Sequence, residues 1–282
     1  MRFDDFLITS DYDSTLTGPD RTIPQRNLEA IRYFMENGGA FTVNTGRSGV
    51  TAREVMEKVP ANAPFLVMNG SSMIQNGEEL ELLTMDLDPW PLLMQFEKDV
   101  PGIVTEVQDN RFHYIHFTCP KRIQRYEQRG IPYKLVNVGD DVGPFAKFNV
   151  YPTEEAVLEG KVNPAQRQEN IRLLDRAHEY LEAHFGDKLA VYRSGPEYLN
   201  VHAKGCSKIN AARRLQKRLG KKYLICIGDA DNDIPMLDGA DFAFCPADGR
   251  VADRYELVCS SGEGAVADLI YEKIPEIMGI MP

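Results

Sequence analysis

Short apolar runs alternate with helix-like repeats over the first eighty residues of the chain. Residues 6–8, 41–43 and 65–68 form such runs, which are typical of strands buried on both faces. Between them, residues 24–37 and a segment ending at Val59 carry apolar side chains at helical spacing. Apolar strands separated by helices predict a parallel sheet with helices on both faces.

The same pattern returns near the end of the chain. Residues 208–219 read as a helix that stops at Gly220, and residues 224–227 read as a strand. A short helix near residues 234–237 and a strand near residues 242–244 follow. This segment therefore extends the α/β unit that the first eighty residues begin.

The middle of the chain has a different pattern. Residues 111–116 alternate between polar and apolar side chains, residues 165–185 read as a long helix, and Gly195-Pro196 suggests a hairpin turn. At 282 residues the chain is long enough for two domains. We therefore predict an α/β fold: a doubly wound, Rossmann-like core of residues 1–83 and 204–282, with an α+β cap inserted at residues 84–203.

Composition narrows the classes of partner. Hydrophobic residues make up 43% of the chain and charged residues 26%, which is ordinary for a globular protein. The formal net charge is −10, which disfavours nucleic acid and anionic membranes as partners. The basic residues between 213 and 222 fall on a predicted helix, where a solvated face explains them.

The cysteines and the first residues bear on the compartment. The five cysteines are scattered without a CxxC pair, which favours reduced structural thiols over a disulfide framework or a zinc site. The first residues are acidic, and no apolar run approaches the roughly 20 residues of a membrane span. We expect a cytoplasmic protein.

Two carboxylates directly follow the first strand. Asp11 and Asp13 lie two residues apart at its carboxyl end, where parallel sheets bind ligands. One could attack phosphorus as a nucleophile while the other moves a proton to or from the leaving group. An Asx-rich turn after a strand is the structural alternative.

The second strand ends in a sequence that suits a phosphate oxygen. Thr45 offers a hydroxyl, and Gly46 and Arg47 follow it. Backbone N–H groups can approach an anion closely at such a glycine. A simple turn requires the same residue types.

The loop after the late strand is rich in acids. Residues 228–233 read Gly-Asp-Ala-Asp-Asn-Asp, and such hard oxygen ligands suit Mg²⁺. The loop lacks the glycine and glutamate offsets of a calcium-binding EF-hand. Without a cation, these acids would repel Asp11 and Asp13 if they lay nearby.

Lys208 stands at the predicted start of a helix, where the helix dipole disfavours a cation. One interpretation is an ammonium group that neutralises Asp11 together with a phosphate. The alternative is an ordinary surface lysine, and Lys204 is a nearby competitor for the functional role.

The order of these signals resembles the haloacid dehalogenase-like (HAD) phosphatase superfamily. Residues 228–237, the segment 204–208 and Asn69-Gly70 are similar in particular to its Cof-type branch, which carries a type IIB cap. The resemblance covers residues 5–83 and 204–272, whereas the middle segment matches a cap only in size and position.

The resemblance implies a reaction and a cofactor. Asp11 would be the nucleophile and Asp13 the general acid and base. Mg²⁺ would be bound by Asp11, the backbone carbonyl of Asp13 and Asp229, with Asp233 supporting the metal or Lys208. Thr45 and Lys208 would hold phosphoryl oxygens, with Gly46, Arg47, Asn69, Gly70 and Asn232 as further candidates for phosphate binding.

One position departs from the family pattern. Ser14 follows Asp13, where glycine is common in the family. This position shapes the loop and does not react.

The implied function is hydrolysis of a small phosphorylated metabolite, such as a sugar phosphate. A phosphomutase or phosphotransferase on the same scaffold is the alternative, and a receiver-like signalling module is a more distant one. Several residues of the cap are open to either a substrate contact or a core or surface role: His113, His116, Lys147, Asn149 and Arg193.

Overall fold

The computed structural model describes residues 2–117, 119–153, 163–194 and 198–279. The strands are β1 (Phe6–Ser10), β2 (Ala40–Val43), β3 (Phe65–Val67), β4 (Ser72–Gln75), β5 (Glu78–Leu82), β6 (Ile103–Gln108), β7 (His113–Ile115), β8 (Tyr133–Leu135), β9 (Lys147–Pro152), β10 (Leu189–Ser194), β11 (Tyr198–Ala203), β12 (Tyr223–Ile227), β13 (Phe242–Pro246) and β14 (Glu256–Val258). The α-helices are α1 (Gln25–Glu36), α2 (Arg53–Lys58), α3 (Pro89–Asp99), α4 (Pro120–Arg129), α5 (Pro164–Phe185), α6 (Lys208–Leu219), α7 (Ile234–Asp238), α8 (Ala265–Asp268) and α9 (Ile274–Ile277).

The chain separates into two compact units. The first comprises Met1–Thr45, Ala52–Glu81 and Ser207–Pro282, and the second comprises Gly46–Thr51 and Leu82–Cys206. The breaks near residues 82 and 206 lie within three residues of the predicted domain boundaries, which remain predictions. The short segment after β2 groups with the second unit, which the sequence analysis did not anticipate.

A five-stranded sheet forms the centre of the first unit, in the order β14-β13-β12-β1-β2. Each neighbouring pair is parallel. Successive side chains of a strand point to opposite faces, and both faces are covered: Ile8 packs in one apolar cluster with residues of α1, and Leu7 packs in another with residues of α6. The prediction of a parallel sheet wound on both faces is confirmed.

A small sheet of order β3-β4-β5 continues from this one. An isolated bridge between Asn44 and Leu66 places β3 beside β2, and β3 then pairs antiparallel with β4. The predicted strand at residues 65–68 ends at Val67, because Met68 adopts a left-handed φ of 51°. The sequence analysis did not predict β4 and β5.

The second unit is an α+β structure around a mixed sheet of order β10-β11-β9-β6-β7-β8. Its described pairs are antiparallel except for β7 with β8. Helices α3 and α5 cover one face, where Phe96, Phe148 and Leu174 belong to a single core. The predicted turn at Gly195-Pro196 lies outside the described residues, and the strands on either side of it, β10 and β11, pair antiparallel as a hairpin does.

Two features bear on the expectations drawn from composition. None of the described helices combines the length and the apolar character that crossing a membrane requires. The five cysteines, all within the described residues, form no disulfide bond.

Candidate active site

The parallel sheet of the first unit brings the carboxyl ends of β1, β2 and β12 to one edge. Ser10 lies opposite Ile227 of β12 and opposite Val43 of β2. The N–H of Asp11 donates to the carbonyl oxygen of Ile227 at 2.9 Å. Asp11 therefore leaves the sheet beside the loop after β12 that carries Asp229, at the edge where such sheets bind ligands.

Lys208 reaches this edge from the start of α6. Ser207 caps the helix, since its hydroxyl oxygen accepts a hydrogen bond from the N–H of Asn210 at 3.1 Å. The Nζ of Lys208 donates to Oδ1 of Asp11 at 2.5 Å and to Oδ1 of Asp233 at 2.6 Å. Because these contacts are buried, they account for a cation at a helix N-terminus, where the dipole alone would disfavour it.

Three buried carboxylates meet beside Lys208. One oxygen each from Asp11, Asp229 and Asp233 lies within 4.8 Å of the other two. Thr15 donates from Oγ1 to Oδ1 of Asp229 at 3.0 Å. The three side chains that the sequence analysis assigned to the metal or to its support are thus brought together, and ligation by the backbone carbonyl of Asp13 stays a prediction.

Asp233 holds the loop in place with both of its oxygens. Its Oδ2 accepts hydrogen bonds from the N–H groups of Asp229 and Ala230, each at 3.2 Å, while its Oδ1 accepts from Lys208. Gly228 packs directly against it, because a Cβ at Gly228 would lie 2.7 Å from the Cβ of Asp233. This arrangement fits a supporting role for Asp233 more simply than direct ligation of a metal.

Burial and mutual interaction shift the pKa values of three charged groups in the cluster. Burial raises the pKa of Asp11 to about 8; Lys208 opposes this shift, and Asp233 and Asp229 add to it. Burial also raises the pKa of Asp229 to about 6, and Asp233 adds to that shift. Burial disfavours charge on Lys208, but Asp11 and Asp233 outweigh it and raise its pKa above the usual value.

Three carboxylates and one ammonium leave an excess of two negative charges when all are ionised, which a divalent cation would balance. The donors are carboxylate oxygens alone, the hard ligands that Mg²⁺ prefers. The residues present therefore fit the predicted magnesium ion.

Asp13 is exposed, and its carboxylate is not part of the buried cluster. The loop around it is ordered by hydrogen bonds from the N–H groups of Leu16 and Thr17 to the carbonyl oxygen of Tyr12, at 3.1 and 3.0 Å. Ser14 adopts a left-handed φ of 60°. A positive φ explains why glycine suits this position, and serine fills it at some conformational cost.

Thr45 and Asn69 are connected where β2 and β3 end. The N–H of Thr45 donates to the carbonyl of Leu66 at 2.9 Å, and the N–H of Asn69 donates to the carbonyl of Thr45 at 3.0 Å. Gly70 has a φ of 86°, and a Cβ there would lie 2.4 Å from the carbonyl oxygen of Ser207. Gly70 therefore lets this turn pack against the start of α6, and the phosphate-binding roles of these residues remain predictions.

The remaining candidates for phosphate binding are Gly46, Arg47 and Asn232. Gly46 and Arg47 group with the second unit, where the carbonyl of Gly46 accepts a hydrogen bond from Nζ of Lys147 at 3.0 Å. Asn232 lies half-buried in a 3₁₀ turn, Asp231–Asp233, next to Asp233 of the carboxylate cluster. Their roles also remain predictions.

The sequence analysis assigned no role to two residues at the cluster, Thr15 and Asn44. Both are fully buried. Asn44 donates from Nδ2 to the carbonyl oxygen of Lys208 at 2.9 Å, which fixes the start of α6. Asn44 could have been selected from the sequence, because it is a polar residue that directly follows the apolar run of β2.

The five open residues in the second unit all have polar partners within that unit. His116 contacts Glu97, with Nε2 3.1 Å from Oε1. Arg193 forms an ion pair with Asp175 of α5. The other three, His113, Lys147 and Asn149, are buried on the face of the sheet opposite α3 and α5. They also have polar partners there: Glu106, the carbonyl of Gly46 and the hydroxyl of Tyr151, respectively.

Comparison with known proteins identifies the family. A family model described as haloacid dehalogenase-like hydrolase matches residues 8–252. A protein of Streptococcus pyogenes serotype M6, provisionally named a phosphatase, is 27% identical over 239 residues, which is 82% of this chain and 83% of that protein.

Solved structures show the same fold. A haloacid dehalogenase-like hydrolase from B. subtilis has a TM-score of 0.76 at 17% identity, covering 94% of this chain and 99% of that one. A structure described as a HAD subclass IIB sugar phosphatase has a TM-score of 0.71 at 16% identity, covering 98% and 99%. At these identities the likeness concerns the fold, whereas the family model spans most of the sequence. The chain belongs to the haloacid dehalogenase-like hydrolase family.

Proposed function

We propose that this hydrolase is a magnesium-dependent phosphatase that cleaves a small phosphate monoester through an aspartyl-phosphate at Asp11. The observation that carries the proposal is the buried contact of Asp11 with Lys208, which Asp233 shares. A carboxylate held in this way at the ligand-binding edge of the sheet can act as a nucleophile.

The first step transfers the phosphoryl group to the enzyme. An oxygen of Asp11 attacks phosphorus, and the bond from phosphorus to the leaving oxygen breaks. Asp13 gives a proton to that oxygen, so the product leaves as an alcohol. The carboxyl group of Asp11 is then a mixed anhydride with phosphate.

The second step restores the enzyme. Asp13, now a carboxylate, takes a proton from water as the water attacks phosphorus. The bond between phosphorus and Asp11 breaks, and inorganic phosphate leaves. Both carboxyl groups return to their starting state.

Lys208 has an electrostatic part in both steps. Its ammonium group orients Asp11 and offsets charge on the phosphoryl oxygens, with more effect in a buried site than in water. Thr45 would hold another phosphoryl oxygen. Asp11, the carbonyl of Asp13 and Asp229 would hold magnesium, which supplies further neutralisation of the transferring group.

The names of similar proteins support a small phosphorylated substrate. One relative is provisionally named a phosphatase, and one protein of the same fold is described as a sugar phosphatase. A phosphorylated sugar or a related metabolite is therefore the substrate class we propose. We place the activity in the cytoplasm, as the cysteine pattern predicts.

The test is phosphate release from p-nitrophenyl phosphate and a panel of metabolite phosphates, with Mg²⁺ or with excess EDTA. We expect release with Mg²⁺ only, and none from Asp11→Asn. Asp20→Asn is the matched control, because Asp20 is exposed and contacts Thr22; it should keep wild-type activity. Substantial release by a folded Asp11→Asn protein would exclude the covalent mechanism.

A further inference from the structure

Asn44 is a fully buried polar residue at the ligand-binding edge of the parallel sheet. It directly follows β2, and its N–H donates to the carbonyl oxygen of Ser10 at 2.8 Å. Ser10 is the last residue of β1 and directly precedes Asp11. The backbone of Asn44 is therefore fixed to the strand that carries the proposed nucleophile, within the first unit.

The side chain of Asn44 contacts two helices of the same unit. Its Nδ2 donates to the carbonyl oxygen of Lys208, the first residue of α6, at 2.9 Å. It also donates to Sδ of Met236 on α7 at 3.6 Å, a weak hydrogen bond to a thioether. Asp233, which accepts from Nζ of Lys208, directly precedes α7. One amide group thus contacts both segments that bring Lys208 and Asp233 together.

The other half of the same amide is unpaired. Oδ1 of Asn44 is buried, and no described residue donates a hydrogen bond to it. Exchanging the oxygen and nitrogen of the amide would place an oxygen against the carbonyl of Lys208, which cannot donate. A buried polar atom without a partner lowers stability, and an apolar side chain would avoid that cost. Stability alone therefore does not explain an asparagine at this position.

We infer that Asn44 is a positioning residue, which fixes the place of Lys208 relative to Asp11. Its backbone is bonded to the strand of Asp11, and its amide is bonded to the backbone of Lys208. The ammonium of Lys208 lies 2.5 Å from Oδ1 of Asp11, and a misplacement of about 1 Å at a reacting centre can reduce the rate by about 10²-fold. This inference rests on the proposed phosphatase function, and Asn44 acts in it through Lys208.

Asn44→Leu tests this role, because leucine has nearly the same shape and neither donates nor accepts a hydrogen bond. The carbonyl of Lys208 keeps its partner within α6, the N–H four residues further on, so the variant leaves no unpaired group there. Removing both polar atoms of Asn44 is therefore nearly neutral for stability. We expect a melting temperature no more than about 2–4 °C below the wild type, whereas kcat/KM for p-nitrophenyl phosphate falls by about 10–10²-fold.

Asn62→Leu is the matched control, because Asn62 bonds to the backbone near the other end of β2. Its Oδ1 accepts from the N–H of Phe41 and its Nδ2 donates to the carbonyl of Gly39, each at 2.9 Å. Losing these bonds should lower the melting temperature and leave kcat/KM unchanged. Asn44→Ala is a second test variant: its cavity lowers the melting temperature, but its loss of kcat/KM should match that of Asn44→Leu.

A spectroscopic measurement follows Lys208 itself. An ammonium group that is buried against two carboxylates exchanges its protons slowly, so it gives its own signal in protein labelled with ¹⁵N at the lysine side chains. Lys208→Met assigns this signal by its absence. We expect the signal in the wild type and in Asn62→Leu, and a shifted or missing signal in Asn44→Leu.

The failures are distinguishable. If the wild type releases no phosphate from any compound with Mg²⁺, the proposed function is wrong and this inference falls with it. If phosphate is released but both variants of Asn44 keep the wild-type kcat/KM, or the Lys208 signal is absent from the wild type or unchanged in Asn44→Leu, the function stands and the inference is overturned. A melting temperature of Asn44→Leu far below that of Asn62→Leu would make Asn44 a structural residue, which also overturns it.

Discussion

Asp13 carries the proton in the proposed mechanism, although its exposed carboxylate lies outside the buried cluster. The contribution of a general acid to the rate increases with the basicity of the leaving group. The alkoxide of a sugar leaves poorly, whereas nitrophenolate leaves well without assistance. The two leaving groups therefore separate the acid role of Asp13 from any effect on binding or metal.

Replacing Asp13 with asparagine should slow phosphorylation of Asp11 much more for an alkyl phosphate than for p-nitrophenyl phosphate. The second step should slow for both substrates, by about 10²–10⁴-fold, because no base activates water. With the aryl substrate, rapid mixing should then show a burst of nitrophenol followed by a slow steady state. Equal losses for both substrates without a burst would contradict the assignment.

Individual residues show what a sequence can and cannot specify. The sequence favoured Lys208 as the functional lysine but left Lys204 as a competitor, because spacing alone does not give burial. In the structure Lys204 is exposed, while Lys208 is buried against Asp11. Thr15 was not predicted, because its partner Asp229 is 214 positions away in the sequence. Local spacing gives no sign of such a contact.

Among the elements, α6 was predicted with its observed bounds, because its apolar spacing and the glycine at its end act locally. The hairpin of β4 and β5 was missed, although Asn76-Gly77 joins the two strands with left-handed φ values of 53° and 80°. That dipeptide is a strong hairpin signal. It was overlooked because β5 is largely polar and lacks the apolar runs used to locate strands.

The turn after β3 provides a test of how α6 is positioned. Alanine at Gly70 would place a Cβ 2.4 Å from the carbonyl of Ser207, so the start of α6 must shift. Gly77→Ala is the matched control, because Gly77 also has a positive φ but nothing within 4 Å of a Cβ. Both variants incur the left-handed strain of about 1–2 kcal/mol.

We expect Gly70→Ala to lower the free energy of unfolding by about a further 1–3 kcal/mol relative to Gly77→Ala, because of overpacking. It should also reduce kcat/KM by about 10²-fold, since Lys208 at the start of α6 is displaced from Asp11. Urea unfolding and steady-state kinetics measure the two effects. Equal stability and activity in the two variants would mean that the contact does not position Lys208.

At the scale of the molecule, the sequence correctly predicted an α/β core with an α+β insertion, because the change from buried apolar runs to alternating runs is visible along the chain. The burial of polar side chains such as Lys147 and Asn149 on one face of the second unit's sheet could not be predicted. Alternation indicates a strand, but whether its polar side is buried depends on strands far apart in sequence, such as β9 and β11. The domain boundaries stay a prediction.

The excess negative charge at the sheet edge predicts how the whole protein responds to metal. A ligand that binds only the folded state stabilises it by about 2.7 kcal/mol at 100 times its Kd. We therefore expect the protein to have a higher melting temperature with Mg²⁺ than without it. Asp229→Asn should abolish this rise, because it removes a proposed ligand.

Asp229→Asn should also make the metal-free protein more stable than the wild type. One buried negative charge is removed from beside Asp11 and Asp233, while an amide oxygen at position 229 can still accept from Thr15. Relief of such functional strain is commonly about 0.5–2 kcal/mol.

Asp231→Asn is the matched control, since it removes an exposed charge from the same loop. It should retain the magnesium response. Thermal unfolding of the three proteins in EDTA and in Mg²⁺ measures both effects. A magnesium response that disappears equally in both variants would indicate general screening of the acidic loop, and a metal-free Asp229→Asn protein less stable than the wild type would show that the three carboxylates do not repel one another.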